Sequence, residues 1–227
     1  MSLLSIAEIV QLLSKEYGSI TWRSRTDPLS ELIVTILSQN TSDHNSRRAF
    51  ASLLSRFGSW EAVAGGRVED IAEAIKLGGL ARVKAPRIKN ILEQIQAQRG
   101  SLDLMFLKKM PVNRAKAWLQ DLPGVGPKTA ACVLLFSLGK PVLPVDTHIH
   151  RVAQRLGLID SRVSAEKAHE ILGDMVPARD VYLFHILMIE HGRRVCKAQH
   201  PRCRECVLLK GCPTGQMLLE AEHEQGR

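Results

Sequence analysis

Leu122-Pro123-Gly124-Val125-Gly126-Pro127-Lys128 is the stretch on which the reading of this chain turns. Two glycines two apart, with a proline on either side, do not fit inside a regular helix or strand. They predict a tight hairpin whose backbone N–H groups turn outward. Helical pattern flanks it, from Arg114 to Asp121 before and from Thr129 to Leu138 after. A glycine-rich turn that opens a helix favours an anion, because unpaired amides and the positive helix end both face it. Lys128 stands in the first turn of that second helix, where the same positive end disfavours an ammonium and favours a free, nucleophilic amine. Further on, Val145-Asp146-Thr147-His148 opens another helix. Asp146 reads as its N-cap, and also as a carboxylate placed to stabilise positive charge developing on a sugar carbon. A phosphate-gripping turn with an amine and a carboxylate points to chemistry on a nucleic acid.

Composition is compatible with that direction. The 227 residues hold one large domain or two small ones, and 45% hydrophobic with 24% charged residues is ordinary for a globular protein. A net charge of +8 attracts polyanions, of which nucleic acid is the commonest in a cell. Two tyrosines, three tryptophans and five phenylalanines are few for a single-strand stacking platform. The longest apolar runs, such as Ala130 to Leu138, are too short to span a membrane. The N-terminus has no basic lead and carries Glu8 within its apolar pattern, which reads as a helix and not as a signal peptide. A cytoplasmic, nucleoid-associated, monomeric protein that is not secreted and has no membrane partner is expected.

Apolar spacing along the rest of the chain is helical throughout. Ser5 to Glu8 forms a capping box ahead of Ile6, Ile9, Val10 and Leu13, and Asp27-Pro28 supplies an N-cap and a first-turn proline for a helix over 28–38. Ser38 to Asp43 is a polar break, followed by a helix ending at Gly58. Two short helices follow, and Gly78-Gly79 leaves Leu80 stranded on a turn before a longer helix. Pro141 to Val145 must be extended because its prolines restrict their neighbours. A last long helix is expected over 178–194, and the segment from Gly215 onward reads as an exposed helix or a disordered tail. The fold class is therefore all-α, with roughly ten helices and no strand.

The cysteines are unevenly placed. Cys132 lies in an apolar helix and reads as a core residue. The other four form the pattern Cys196-x6-Cys203-x2-Cys206-x5-Cys212. Such crowding suggests metal rather than disulfides, either a tetrahedral zinc or a [4Fe-4S] cluster. Only Cys203 and Cys206 make a close pair, which favours the larger core. Lys197 and Arg202 sit inside the loop, among Arg193, Arg194, Arg204 and Lys210, so the loop reads as a rigid basic surface for DNA phosphates. His148 and His150 show no metal spacing and are read as packing or phosphate contacts.

Taken together, the hairpin, the Asp146 segment and the cysteine loop resemble the endonuclease III family of helix-hairpin-helix DNA glycosylases, over about residues 5 to 213. The resemblance implies two helical domains with a cleft between them: a six-helix domain over 27–140, and a cluster domain from 1–26 plus 141–213, followed by a tail over 214–227. It implies a base-excision-repair glycosylase/AP lyase that removes oxidised pyrimidines from damaged double-stranded DNA. Lys128 would attack C1′, Asp146 would assist, and the resulting imine would permit β-elimination. The hairpin residues Leu122, Gly124, Val125 and Gly126 would hold the DNA backbone. Leu80 matches the family's wedge, and the segment around Gln39 and Asn40 matches the loop that fills the space left by a flipped base. Where well-known members have Ala-Gln, this chain has Gln39-Asn40, which places the shorter Asn40 at the plug. Cys196, Cys203, Cys206 and Cys212 would hold the [4Fe-4S] cluster.

Two other readings use the same features. One is a monofunctional mismatch glycosylase, whose members typically lack a lysine at the Lys128 position. The other is a non-catalytic DNA-binding or redox module, which would have no use for Lys128 with Asp146.

Overall fold

The structure, a computed structural model, describes residues 2–225. Among the described residues there are twelve α-helices and no strand: α1 (Ile6–Tyr17), α2 (Pro28–Ser38), α3 (Asp43–Phe57), α4 (Trp60–Gly65), α5 (Val68–Ala74), α6 (Ala81–Arg99), α7 (Val112–Gln120), α8 (Pro127–Leu138), α9 (Thr147–Arg155), α10 (Ala165–Met175), α11 (Val181–Arg194) and α12 (Pro213–Gln225). The all-α expectation holds. None of these helices is long and apolar enough to cross a membrane.

The helix starts follow local chemistry. Ser5 and Glu8 complete the capping box of α1, and Asp27 accepts the Ser30 N–H at 2.9 Å at the head of α2. Ser42, Ser59 and Ser164 cap α3, α4 and α10 in the same way. The last long helix begins at Val181 and not at Ala178, because Pro177 to Asp180 closes as a turn, Asp180 N–H donating to Pro177 O at 2.8 Å. The segment expected as an exposed or loose tail is helical over 213–225, and its first turn is seated on the cysteine loop, with Gly215 N–H directed at Cys212 Sγ. Residues 226 and 227 lie outside the described residues.

The chain divides into two compact units, one formed by the residues up to Trp22 with those from Pro141 onward, the other by Arg23–Lys140. The second begins four residues before the boundary expected at 27. The reason is local: Arg25 N–H donates to Phe136 O at 3.1 Å, its guanidinium lies 3.6 Å above the Phe136 ring, and Ser24 Oγ reaches Ser137 O. In the Arg23–Lys140 unit, α2 is buried along nearly its whole surface and packs on α3 and on the equally apolar α8. In the other unit, α11 packs on α9 and α1, with Ile9, Leu13, Ile149, Val152, Phe184 and Met188 in its core.

Candidate functional site

In the Arg23–Lys140 unit, the glycine stretch forms the expected hairpin between α7 and α8. Gly124 has φ +73°, a left-handed conformation that costs a residue with a Cβ. Leu122 and Val125 are only 2% and 4% exposed, and their N–H groups bond within the turn, to Leu119 O and Leu122 O. The sequence reading counts both among the DNA contacts; here both side chains are buried and both amides are bonded within the protein. The amides of Gly124 and Gly126 have no protein acceptor among the described residues, and Gly126 heads α8 without a side-chain cap. Donors at the open N-terminus of a helix are what an anionic oxygen needs. Lys128 is exposed on the first turn above them.

Two further elements of this unit carry strained backbone. Leu80, the N-cap of α6, has φ +51° and is 54% exposed; Asn40, just beyond the end of α2, has φ +54° and is also exposed. A left-handed non-glycine residue costs about 1 kcal/mol or more and persists only when its surroundings hold it. Here α6 does the holding. Lys84, 2% exposed, donates through Nζ to Leu37 O at 2.7 Å and to Gly78 O at 2.8 Å, so one buried ammonium joins the end of α2 to the turn that presents Leu80. Burial, with Arg87 beside it, lowers the Lys84 pKa from its ordinary value. Arg87 Nη1 donates to Gln39 Oε1 at 2.9 Å.

In the other unit, Asp146 caps α9, one carboxylate oxygen accepting the Ile149 N–H at 2.8 Å. It is half-buried, and its second oxygen carries no such cap bond. His148 is a packing residue: its Nδ1 accepts from Arg151 Nη2 at 3.1 Å, and its Cβ lies where a side chain on Gly192 would have to go. Arg151 also reaches Gly192 O and Cys196 O, which ties α9 to the start of the cysteine loop. His150 Nε2 meets Val163 O at 2.8 Å, as a packing histidine would.

Among the described residues Cys196, Cys203, Cys206 and Cys212 form no disulfide, and they line one pocket, with Val152, Leu156, Val195, Leu209 and Leu218 as its apolar wall. They ring this space without converging: among the described residues, no three His, Cys, Asp or Glu side chains form a set that could hold a single metal ion. Burial, reinforced by the other three sulfurs, pushes the Cys206 thiol up to about 11, and burial likewise raises Cys212. The sulfurs are met by donors. Arg155 Nη1 lies 3.3 Å from Cys196 Sγ, and Gly215 N–H lies 3.3 Å from Cys212 Sγ. His191 Nε2 lies 3.5 Å from Cys206 Sγ and its Nδ1 3.1 Å from Tyr17 Oη. Burial holds the His191 pKa down to about 4, so the ring is neutral at neutral pH. One tautomer satisfies both contacts, with Tyr17 donating to Nδ1 and Nε2–H donating to sulfur. Lys197 is exposed as expected, and Arg202 is exposed but shares its charge with Glu205 at 3.6 Å.

Sequence reasoning missed Lys84, Arg87, Arg155 and His191. Nothing in local pattern singles out the first two, which sit in a basic run on α6; their partners are distant in the chain. His191 had a faint signal, a histidine in the last turn of an apolar helix just ahead of the first loop cysteine.

Comparison with known proteins agrees with this geometry. Residues 33–178 match the HhH-GPD superfamily of base excision DNA repair proteins. An endonuclease III of Thermotoga maritima is 37% identical over 82% of this chain and 83% of its own length. An Arabidopsis thaliana protein described as a DNA glycosylase is 40% identical over 73% of this chain, which spans 56% of that longer protein. A trapped covalent complex of endonuclease III with DNA superposes with a TM-score of 0.79 at 27% identity, covering 94% of this chain and 97% of the other. The chain belongs to the HhH-GPD superfamily of base excision DNA repair proteins and, within it, to the endonuclease III family.

Proposed function

We propose that this chain excises oxidised pyrimidines from duplex DNA and then nicks the abasic strand, with Lys128 as nucleophile and Asp146 as its carboxylate partner. Family membership makes it a DNA glycosylase and AP lyase of base excision repair; the lesion class and the residue roles are our reading. The observation that carries it is Lys128, exposed on the first turn of an uncapped α8 directly after the open amides of Gly124 and Gly126. An amine so placed stands beside the backbone that the hairpin grips.

In this mechanism Lys128 Nζ attacks C1′, the glycosidic bond breaks, and its electrons leave with the base, which takes a proton from solvent. The Asp146 oxygen not used on the Ile149 N–H stabilises the cationic sugar carbon. The C1′–O4′ bond then breaks, O4′ taking a proton as the sugar ring opens, and the amine nitrogen's lone pair forms the iminium; loss of a C2′ proton from it breaks the C3′–O bond, and the phosphate leaves as the strand is nicked on the 3′ side. Leu80 enters the stack as the lesion leaves it, and Asn40 occupies the vacated space. The enzyme would act as a cytoplasmic monomer.

The cysteine loop would hold a [4Fe-4S] cluster through Cys196, Cys203, Cys206 and Cys212. Four thiols around an apolar-walled pocket, with three N–H donors aimed at sulfur, suit such a core. Such a cluster supplies one-electron chemistry and a rigid cross-link that presents Lys197 and Arg202 to phosphate.

Borohydride trapping tests the proposal. A duplex carrying thymine glycol, and one carrying an abasic site, should each give a covalent adduct with the wild type, and Lys128→Gln should lose both. An adduct on the abasic duplex alone would remove the oxidised-pyrimidine assignment. No adduct on either would leave a monofunctional glycosylase.

A further inference from the structure

Arg87 joins two DNA-facing segments that the chain places far apart. Its Nη1 donates to Gln39 Oε1 at 2.9 Å, while the rest of the guanidinium lies on the hairpin: a Cβ built on Gly124 would stand 2.5 Å from Arg87 Nε and 2.7 Å from its Cδ. Gly124 is therefore bare for two reasons, its positive φ and the arginine laid across it. Gln39 is the C-cap of α2, and the next residue is Asn40, held left-handed and exposed. One turn earlier on the same face of α6, Lys84 fixes Leu37 O and Gly78 O. Lys84 and Arg87, three residues apart, share one face of α6, so that face carries the anchor of the Asn40 loop and the support of the glycine hairpin, while Leu80 stands at the helix's N-cap.

We propose that Arg87 is a positioning residue and that, through Gln39, it couples the seating of the hairpin on a phosphate to the reach of Asn40 into the duplex. Gln39 is then not a second plug. Its amide oxygen is committed to Arg87, and it acts as the strap that sets where Asn40 stands. This rests on the reading of Asn40 as the residue that fills the flipped base's space. A hydrogen bond from a charged donor is among the stronger ones available to hold such a loop. Arg87 has further N–H donors, so a direct phosphate contact is the rival account, and the two differ in what they predict for Gln39.

A double-mutant cycle separates them. Arg87→Met, Gln39→Met, the double variant and the wild type are titrated with a duplex containing a tetrahydrofuran abasic analogue. 2-Aminopurine placed opposite the analogue reports, by its fluorescence, whether the orphaned base is displaced. The strap predicts that each single variant weakens binding about tenfold and diminishes the fluorescence change, and that the double variant is no worse than Arg87→Met alone. Affinity for undamaged duplex should fall by the same small factor in all three variants. A silent Gln39→Met, or effects that multiply independently in the double variant, would overturn the proposal in favour of a phosphate contact. Failure of the catalytic reading shows elsewhere, as an absent borohydride adduct in the wild type.

Discussion

The two hairpin glycines look equivalent in the sequence and are not equivalent in space. Gly124 has φ +73° and a neighbouring guanidinium inside van der Waals distance of any added Cβ, whereas Gly126 has φ −86° with nothing within 4 Å. Gly124→Ala should therefore destabilise the protein by about 1–3 kcal/mol and displace Arg87, while Gly126→Ala folds with near wild-type stability. Urea titration of the two variants checks this, and equal losses would count against it. Glu31 gives a second test at the same scale. It is 6% exposed at the head of α2, and burial raises its pKa, with Asp27 adding to the rise and Arg25 opposing it. A carboxyl raised in the folded state contributes its stability fully below the unfolded value, about 4, and loses it as pH climbs through the folded one. Glu31→Gln should thus be more stable than wild type at pH 7, with the gap closing as pH falls toward 4.5. A gap that does not change with pH would refute it. Lys128 and Asp146 stand out in the sequence as candidates because each sits in a local motif. Arg87 was not, since what defines it is residue 39 on one side and residue 124 on the other.

Helices were the most legible level. Capping residues and proline placement gave α1 and α2 nearly to the residue, because the chemistry that starts a helix is local. The start of α11 and the helical character of 213–225 were less legible, for different reasons. Ala178 to Asp180 has helical spacing but is spent on a turn after Pro177. The first turn of α12 is capped by Cys212, whose Sγ accepts the Gly215 N–H, and a cysteine does not announce a helix start as Ser or Asp does. The loop itself combines both cases. Its four sulfurs could be picked out by spacing alone, but the donors that meet them come from α9, α11 and α12, and no spacing within the loop reveals Arg155 or His191. An element whose function lies in a motif is visible early; one whose function lies in what it supports is visible only after folding.

At the scale of the whole molecule, each of the two units has its own core. The Arg23–Lys140 unit packs α2 against α3 and α8 with apolar side chains and owes nothing to the four loop cysteines. The other unit closes around α1, α9 and α11, and all four loop cysteines lie within it, bound back to α9 through Arg155 and Arg151 and to α11 through His191. A cluster held by those cysteines would stabilise the unit that contains it, because ligands gathered only in the folded state make binding free energy into folding free energy. The raised thiols of Cys206 and Cys212 sharpen this: without metal they remain protonated at neutral pH, two polar groups facing an apolar wall. Chelation of iron under reducing conditions should therefore act unevenly. Hydrogen exchange followed by mass spectrometry should show α9, α11 and α12 losing protection by at least tenfold while α2 and α8 change by less than twofold. Parallel loss in both groups of helices would mean that the units unfold as one, and that the cluster supports the hairpin and Lys128 as much as it supports its own loop.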